Sequence, residues 1–204
     1  MAKDWDERFR NGSYPQNPDP SPLLTEYIDR IPRGRALDIA TGTGRNAIAL
    51  AAEGYTVDAI DASRPGLNIA QENARNRNVD QHINWIQADV NAYVFPKNRY
   101  NLVTISFYRC LDRFTDIKES IVEGGYLFVD HHVRTTADVV EGPPDDRYQF
   151  GVNELLRSCL DMTILYYDEG VESPDGEYTR ANARIIARKS TGIRQELPRR
   201  LGDR

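Results

Sequence analysis

The residues with the most chemistry in them surround two short apolar runs. ALDIA (36–40) leads directly into Thr41-Gly42-Thr43-Gly44, and an apolar-faced helical pattern begins at Arg45 and Asn46. A strand, a glycine loop and a helix start in that order set free backbone N–H groups and a positive helix end beside a loop that a ligand can approach closely. A nucleotide or an anion fits there; a plain tight turn would use the same glycines. The next run, TVDAID (56–61), ends in Asp61, seventeen residues beyond Gly44. An acid at that spacing can accept from both hydroxyls of a ribose laid across the first strand. The competing role is a cap for the helix near Pro65, although Ser63 or Ala62 sits closer to the usual cap position. Asp38 lies within the first run, poorly placed for a pyrophosphate and useful near a cationic amino group.

Two cofactor classes meet this description. Gly42-Thr-Gly44-Arg-Asn-Ala47 satisfies the G-x-G-x-x-G/A dinucleotide pattern, so an NAD-dependent oxidoreductase is one alternative. Asp38 speaks against it, as does a length that leaves no room for a separate substrate domain. The Tyr93-to-Lys97 pair also holds Pro96, which prevents the helical turn that would bring both side chains together. A non-catalytic nucleotide-binding module is the third alternative.

Further candidates follow the fourth and fifth apolar runs. NLVTISF (101–107) is followed by Tyr108, Arg109 and, further on, Arg113; YLFVD (126–130) is followed by His131 and His132. An imidazole of near-neutral pKa suits a general base, and strand alternation lets only one of the two face a pocket. Tyr108 suits a pocket wall, and arginine forks suit an anionic substrate. Solvated surface arginines and a hydrogen-bonded strand-end histidine are the plain alternatives.

Five runs (36–40, 56–61, 83–88, 101–107, 126–130) alternate with helical patterns or loops, the mark of a parallel sheet with helices on both faces and a ligand at the carboxyl ends of its strands. A helix is expected over 151–160, then MTILYYDEG (162–170) and YTRANARIIARK (178–189) as a terminal antiparallel hairpin around Pro174, Asp175 and Gly176. Another helix is expected from Ser21, as its cap, and Pro22. Residues 1–20, with Pro15, Pro18 and Pro20, read as an extended arm, with Trp5 and Phe9 as anchors and Tyr14 as part of a lid. The 204 residues fit one domain over 1–190 and a polar tail over 191–204 that holds Arg194, Arg199, Arg200 and Arg204. With 26 basic against 31 acidic residues the net charge is −5, which disfavours non-specific nucleic-acid binding. Cys110 and Cys159 match no metal spacing, so no metal is expected, and the absence of a signal peptide or an apolar span makes the cytoplasm the expected compartment.

At these residues the chain resembles the class I S-adenosylmethionine-dependent methyltransferases. Asp38-Ile-Ala-Thr-Gly42-Thr-Gly44 looks like their first motif, Asp61 like their ribose-binding acid, and Gln87-Ala88-Asp89 like their adenine-contacting motif, over roughly residues 21–188. Trp5-Asp-Glu-Arg-Phe, Pro20-Ser-Pro-Leu-Leu24 and Gly44-Arg-Asn-Ala47 are similar to the TehB-like, tellurite-resistance group. Ala40 departs from the family, which often has a glycine there. The resemblance implies a Rossmann-like three-layer sandwich with a seven-stranded, mostly parallel sheet whose last strand is antiparallel. It also implies S-adenosylmethionine as cofactor, S-adenosylhomocysteine as product, and methyl transfer to a small molecule, an anionic one if Arg109 and Arg113 face it. By resemblance the cofactor would be held by Asp38, Gly42, Gly44, Asp61, Asp89 and the backbone of Val90, and Ala40, Thr41, Asn46, Ala62, Ser106 and Tyr14 are further candidates to line its site. Catalysis would rest with His131, His132, Tyr108 and Arg109. The Asn/Asp-Pro-Pro-aromatic run of the resembling nucleobase amino-methylases is missing, which argues against DNA as acceptor.

Overall fold

A computed structural model describes residues 2–138, 142–173, 179–192 and 197 of the chain. In chain order the helices and strands are α1 (Ala2–Arg10), α2 (Pro22–Tyr27), β1 (Arg35–Ile39), α3 (Arg45–Ala52), β2 (Thr56–Asp61), α4 (Arg64–Asn76), β3 (Ile83–Gln87), β4 (Tyr100–Ser106), α5 (Phe114–Ser120), β5 (Ile121–His132), α6 (Glu154–Ser158), β6 (Thr163–Glu172) and β7 (Arg180–Arg188). The strands form one sheet in the order β3-β2-β1-β4-β5-β7-β6. Strands β1 to β5 pair in parallel, and β7 runs antiparallel to both β5 and β6. This is the seven-stranded sandwich with an antiparallel β6–β7 hairpin.

The central strands are buried on both faces, as parallel strands flanked by helices must be. Ile39, Ile105 and Val129 point to one face, packed with Phe114, Ile117 and Leu155. Ala36, Leu102 and Phe128 point to the other, packed with Leu23, Leu24 and Leu50. The strand order reverses between β1 and β4, and in open α/β sheets the crevice at such a switch point, at the carboxyl ends of the strands, is the ligand site.

The first twenty residues are not wholly extended. Residues 2–10 form a helix, because the three prolines begin only at Pro15 and leave the first turns free of backbone restriction. Asp6 and Arg10 pair at 3.6 Å across one turn of it, and the Arg8 guanidinium lies 5.0 Å from the Trp5 ring. The helix expected over 151–160 is confined to Glu154–Ser158. The proposed turn at Pro174, Asp175 and Gly176 lies outside the described residues, as do the four tail arginines.

Candidate functional site

The loop between β1 and α3 owes its shape to three alternate left-handed positions: Ala40 has φ +55°, Gly42 +57° and Gly44 +85°. The two glycines serve different ends. A side chain on Gly44 would meet the Ala70 Cβ at 2.9 Å and the Ile48 and Trp85 side chains at 3.2 Å, so this glycine lets α3, α4 and β3 pack closely. Around Gly42 the nearest atom is 3.6 Å away, on the Phe9 ring, so its glycine serves the backbone conformation. Ala40 adopts the same left-handed region with a Cβ, at a cost of about 1–2 kcal/mol.

Two buried carboxylates, Asp38 and Asp130, and a half-buried one, Asp61, stand towards the strand ends. Asp38 accepts from the hydroxyls of Thr41 (2.6 Å) and Thr104 (2.7 Å), so Thr41 ties the loop to β1 and β4. Asp61 accepts from the Gly42 N–H and the Ser63 N–H, both at 2.8 Å, and so bridges the glycine loop to the start of α4 beside the half-buried Ala62. The cap of α4 is Ser63, whose hydroxyl accepts from the Gly66 N–H at 3.2 Å; that leaves the Asp61 carboxylate aimed at the loop. Asp130 accepts from the Ser21 hydroxyl at 3.2 Å and lies 3.4 Å from the Arg184 guanidinium. Burial pushes all three pKa values up, against the lowering pull of the groups that hydrogen-bond or pair with them.

Asn46, at the start of α3, joins distant elements: its amide oxygen accepts from the Ser21 N–H at 3.0 Å and its nitrogen donates to the Ser106 hydroxyl at 2.9 Å. Ser21 does precede α2, but its hydroxyl makes no cap bond and turns to Asp130 instead. The described part of the site therefore continues from β4 through α3 to the arm and β5.

The arm covers the loop. Trp5, Phe9 and Tyr14 form an aromatic cluster with ring centres 5.2–5.8 Å apart, and the Asp6 carboxylate accepts from the Ser63 hydroxyl at 2.6 Å. Burial raises the Tyr14 pKa, with Arg45 pulling it down and Asp61 and Asp38 adding to the rise. Thus Tyr14 lies with Asp38, Asp61 and Arg45 at the loop.

At the β3 end, Asp89 is exposed and accepts from the Asn91 N–H at 2.9 Å, next to the buried Val90. The two arginines after β4 are occupied. Arg113 donates to the carbonyls of Val90, Asn91 and Tyr93 and pairs with Asp116 at 2.9 Å, so it braces the 90–93 turn and does not face an acceptor. Arg109 pairs with Glu154 at 2.9 Å. Tyr108 is half-buried, 3.5 Å from the Asn91 amide nitrogen, and burial raises its pKa.

His131 and His132 point to opposite sides of β5, as strand alternation requires. His131 pairs in register with Ala183, on the face of Val129, whereas His132 pairs with Asn182. His131 is 2% exposed and lies edge-on to Phe150, ring centres 5.0 Å apart; among the described residues neither of its nitrogens has a hydrogen-bond partner. Burial first, then the nearby His132 and Arg109, lowers its pKa to about 3. A base that weak takes little proton from an acceptor near neutral pH, which argues against the general-base role expected of it. Phe107, with φ +54°, stands between the β4 and β5 ends with its ring 4.8 Å from His132 and 5.2 Å from the Arg45 guanidinium.

A family model described as a methyltransferase domain matches residues 36–122, the segment that carries the glycine loop, Asp61 and the β4 end. Over this segment the chain is similar to a methyltransferase domain. Among solved structures it is similar to TehB from Haemophilus influenzae, with a TM-score of 0.70 and 23% identity over 83% of this chain and 62% of that one. It is likewise similar to a SAM-dependent methyltransferase from Aquifex aeolicus, with a TM-score of 0.65 and 19% identity over 90% and 97%. At these identities the likeness is one of fold. Among curated proteins, the chain is 32% identical over 135 residues to a demethylmenaquinone methyltransferase of Thermus thermophilus, covering 61% of this chain and 54% of that protein. It is 34% identical over 76 residues to the ubiquinone/menaquinone biosynthesis C-methyltransferase UbiE of Pectobacterium atrosepticum, covering 36% and 30%. The chain thus spans between 30% and 54% of the length of these relatives.

The donor set fits S-adenosylmethionine as cofactor. Each Asp61 oxygen takes one backbone N–H in the described structure, and a carboxylate oxygen can accept a second bond, here from a ribose hydroxyl. A carboxylate-lined crevice also suits a ligand bearing a sulfonium and an ammonium. Among the described residues no group of histidines, cysteines and acids could hold a metal, and no helix is long and apolar enough to cross a membrane. Sequence reasoning missed Phe107, Phe150, Glu154 and the second role of Ser21. Of these only Phe107 left a local trace, as the aromatic that ends the fourth apolar run.

Proposed function

We propose that this chain transfers a methyl group from S-adenosylmethionine to a small-molecule acceptor. The observation that carries the reading is the Asp61 carboxylate at the β2 end, bonded to the Gly42 N–H of a left-handed glycine loop at the switch point of the sheet. The bound cofactor supplies a methyl group on an already activated sulfonium leaving group. This chain's own residues then have three tasks. Asp61 and the loop orient the nucleoside end, the Asp38–Thr41–Thr104 cluster fixes the loop, and the aromatic arm of Trp5, Phe9 and Tyr14 keeps water from the crevice. The names of the Thermus and Pectobacterium relatives, both methyltransferases of quinone biosynthesis, support a small acceptor over a macromolecular one.

Thermal unfolding with S-adenosylmethionine, S-adenosylhomocysteine or NAD tests the reading. Either of the first two at a hundred times its dissociation constant is expected to stabilise the fold by about 2.7 kcal/mol. Stabilisation by NAD alone would overturn the proposal in favour of an oxidoreductase. Cofactor binding with no methyl transfer to any of a broad panel of small acceptors would point to a binding module.

A further inference from the structure

Besides its sulfonium and its ammonium, S-adenosylmethionine carries a carboxylate at its amino-acid end. In a crevice bordered by Asp38, Asp61 and Asp130 such a group needs a cation, and most of the arginines around the β4 and β5 ends are committed elsewhere. Arg109 pairs with Glu154 at 2.9 Å. Arg113 is spent on Asp116 and on the carbonyls of Val90, Asn91 and Tyr93, and Arg184 on Glu172 and, at 3.4 Å, on Asp130. Arg45 is different. Among the described residues it makes no ion pair, and its one hydrogen bond, to the Asp19 carbonyl, is long at 3.5 Å. This half-buried guanidinium therefore keeps nearly all of its donors for a ligand.

We infer that Arg45 receives the amino-acid carboxylate of S-adenosylmethionine, with Phe107 as the residue that positions its guanidinium. The inference rests on the methyltransferase reading and deepens it by assigning the group that holds the far end of the cofactor. The order of the strands gives the direction. Asp61 ends β2, the glycine loop follows β1, and Ser106 and Phe107 stand at the end of β4, the next strand on the other side of β1. Neighbouring strands lie about 4.8 Å apart, so a ligand with its ribose on Asp61 crosses the loop and brings its other end to the β4 side, about 9–10 Å away. Arg45 points to that side: it opens α3 directly after the loop, and its guanidinium lies 5.2 Å from the Phe107 ring. The positive N-terminal end of α3 adds to the attraction for an anion there.

Phe107 is built for the positioning role. It is a bulky residue held at φ +54°, where a non-glycine backbone is strained, and its N–H donates to the Asp130 carbonyl at 2.9 Å, which pins the strained turn to β5. The ring so placed lies 4.8 Å from the His132 ring and carries the Arg45 guanidinium, which is thereby stacked rather than loose. The charge of Arg45 also reaches across the crevice. Burial raises the pKa values of Tyr14, Asp38 and Asp130, and Arg45 draws each of them back. A cation that acts on all three and, among the described residues, pairs with none is matched to an anion that arrives with the ligand.

The test is titration calorimetry of the full chain with S-adenosylhomocysteine and with its decarboxylated analogue, which keeps the nucleoside, the sulfur and the amine. The unaltered chain should bind S-adenosylhomocysteine roughly tenfold to a hundredfold more tightly than the analogue, the worth of a hydrogen-bonded charge pair. Arg45→Met keeps an apolar stem over Phe107 and should bring S-adenosylhomocysteine down to about the affinity of the analogue without weakening the analogue itself, a split that a merely structural role would not produce. Arg45→Lys should restore part of the preference, as a point charge without the fork, and Phe107→Leu should reduce it by about two- to fivefold. A preference that survives intact in Arg45→Met, or an equal loss of both ligands there, overturns the inference. So does equal affinity of the unaltered chain for the two ligands, even if every variant fails to fold. If neither ligand binds the unaltered chain, the methyltransferase reading falls and this inference with it; tight binding of S-adenosylhomocysteine without the preference removes this inference alone.

Discussion

Acidification should destabilise this protein through His131, by an amount the site itself sets. The unfolded imidazole has its ordinary pKa of 6.5, and burial against Phe150, with His132 and Arg109 nearby, lowers it to about 3 in the folded chain. Because the folded value is the lower one, the unfolded state binds the extra proton; the contribution to stability is present above pH 6.5 and is lost as the pH falls towards 3. At pH 5 the unfolded imidazole is almost wholly protonated while the folded one is neutral, a difference of about RT ln 33, or about 2 kcal/mol. Asp38, Asp61 and Asp130 work in the opposite direction: their raised folded pKa values favour the folded state at low pH, and that contribution fades as the pH rises through them. They are common to the unaltered chain and to His131→Phe, so the difference between the two isolates the histidine. Urea unfolding of both at pH 7.5 and pH 5 is the assay, with the m-value checked for constancy. The stability gap is expected to move by about 2 kcal/mol in favour of His131→Phe between the two conditions. A gap constant to within about 0.5 kcal/mol would show that the imidazole titrates normally and that its burial is not dry.

Asp61→Ala should weaken S-adenosylhomocysteine binding by one to two orders of magnitude in calorimetry, on the order of 1.5–3 kcal/mol for a charged hydrogen-bonding group, and by far more than His131→Ala or His132→Ala. Ala40→Gly removes the Cβ from a left-handed position at φ +55° and should raise urea-unfolding stability by about 0.5–1 kcal/mol, the relief of strain exceeding the added chain entropy. Gly44→Ala should have the opposite sign and lose about 2–4 kcal/mol in the same experiment, because its Cβ would press on Ala70 at 2.9 Å as well as strain the backbone.

The parts of this molecule that were legible in sequence are those fixed by local rules. Apolar runs bounded by turn residues marked the seven strands to within a few residues, and the glycine loop with Asp61 marked the switch point before any pairing was known. What was hidden depends on partners far along the chain. Arg113 reads as a free cation until the turn at 90–93 folds over it, and Arg109 until Glu154, forty-five residues on, reaches it. Ser21 has every mark of a helix cap, but Asp130 competes for its hydroxyl from 109 residues away. The α1 helix was obscured for a different reason: prolines at 15, 18 and 20 govern only their own neighbourhood, and the aromatic stripe of Trp5 and Phe9 finds its partner in Tyr14 and the glycine loop rather than in a local pattern.

The placement of β7 sets the order in which the sheet can be made. Although β7 follows β6 in the chain, it lies between β5 and β6 and supplies the partner of each. On the ribosome, where residues appear at about 5–20 per second, β1 to β5 can pair as they emerge, but β6 reaches the solvent with no neighbour to join. Until residues 180–188 follow, the inner strand β5 is an open edge flanked by buried Leu127 and Val129. An interrupted chain that ends before Arg180 therefore exposes an apolar, unpaired strand, the form most ready to pair with a neighbouring copy, and its synthesis is most vulnerable to aggregation at this last interval.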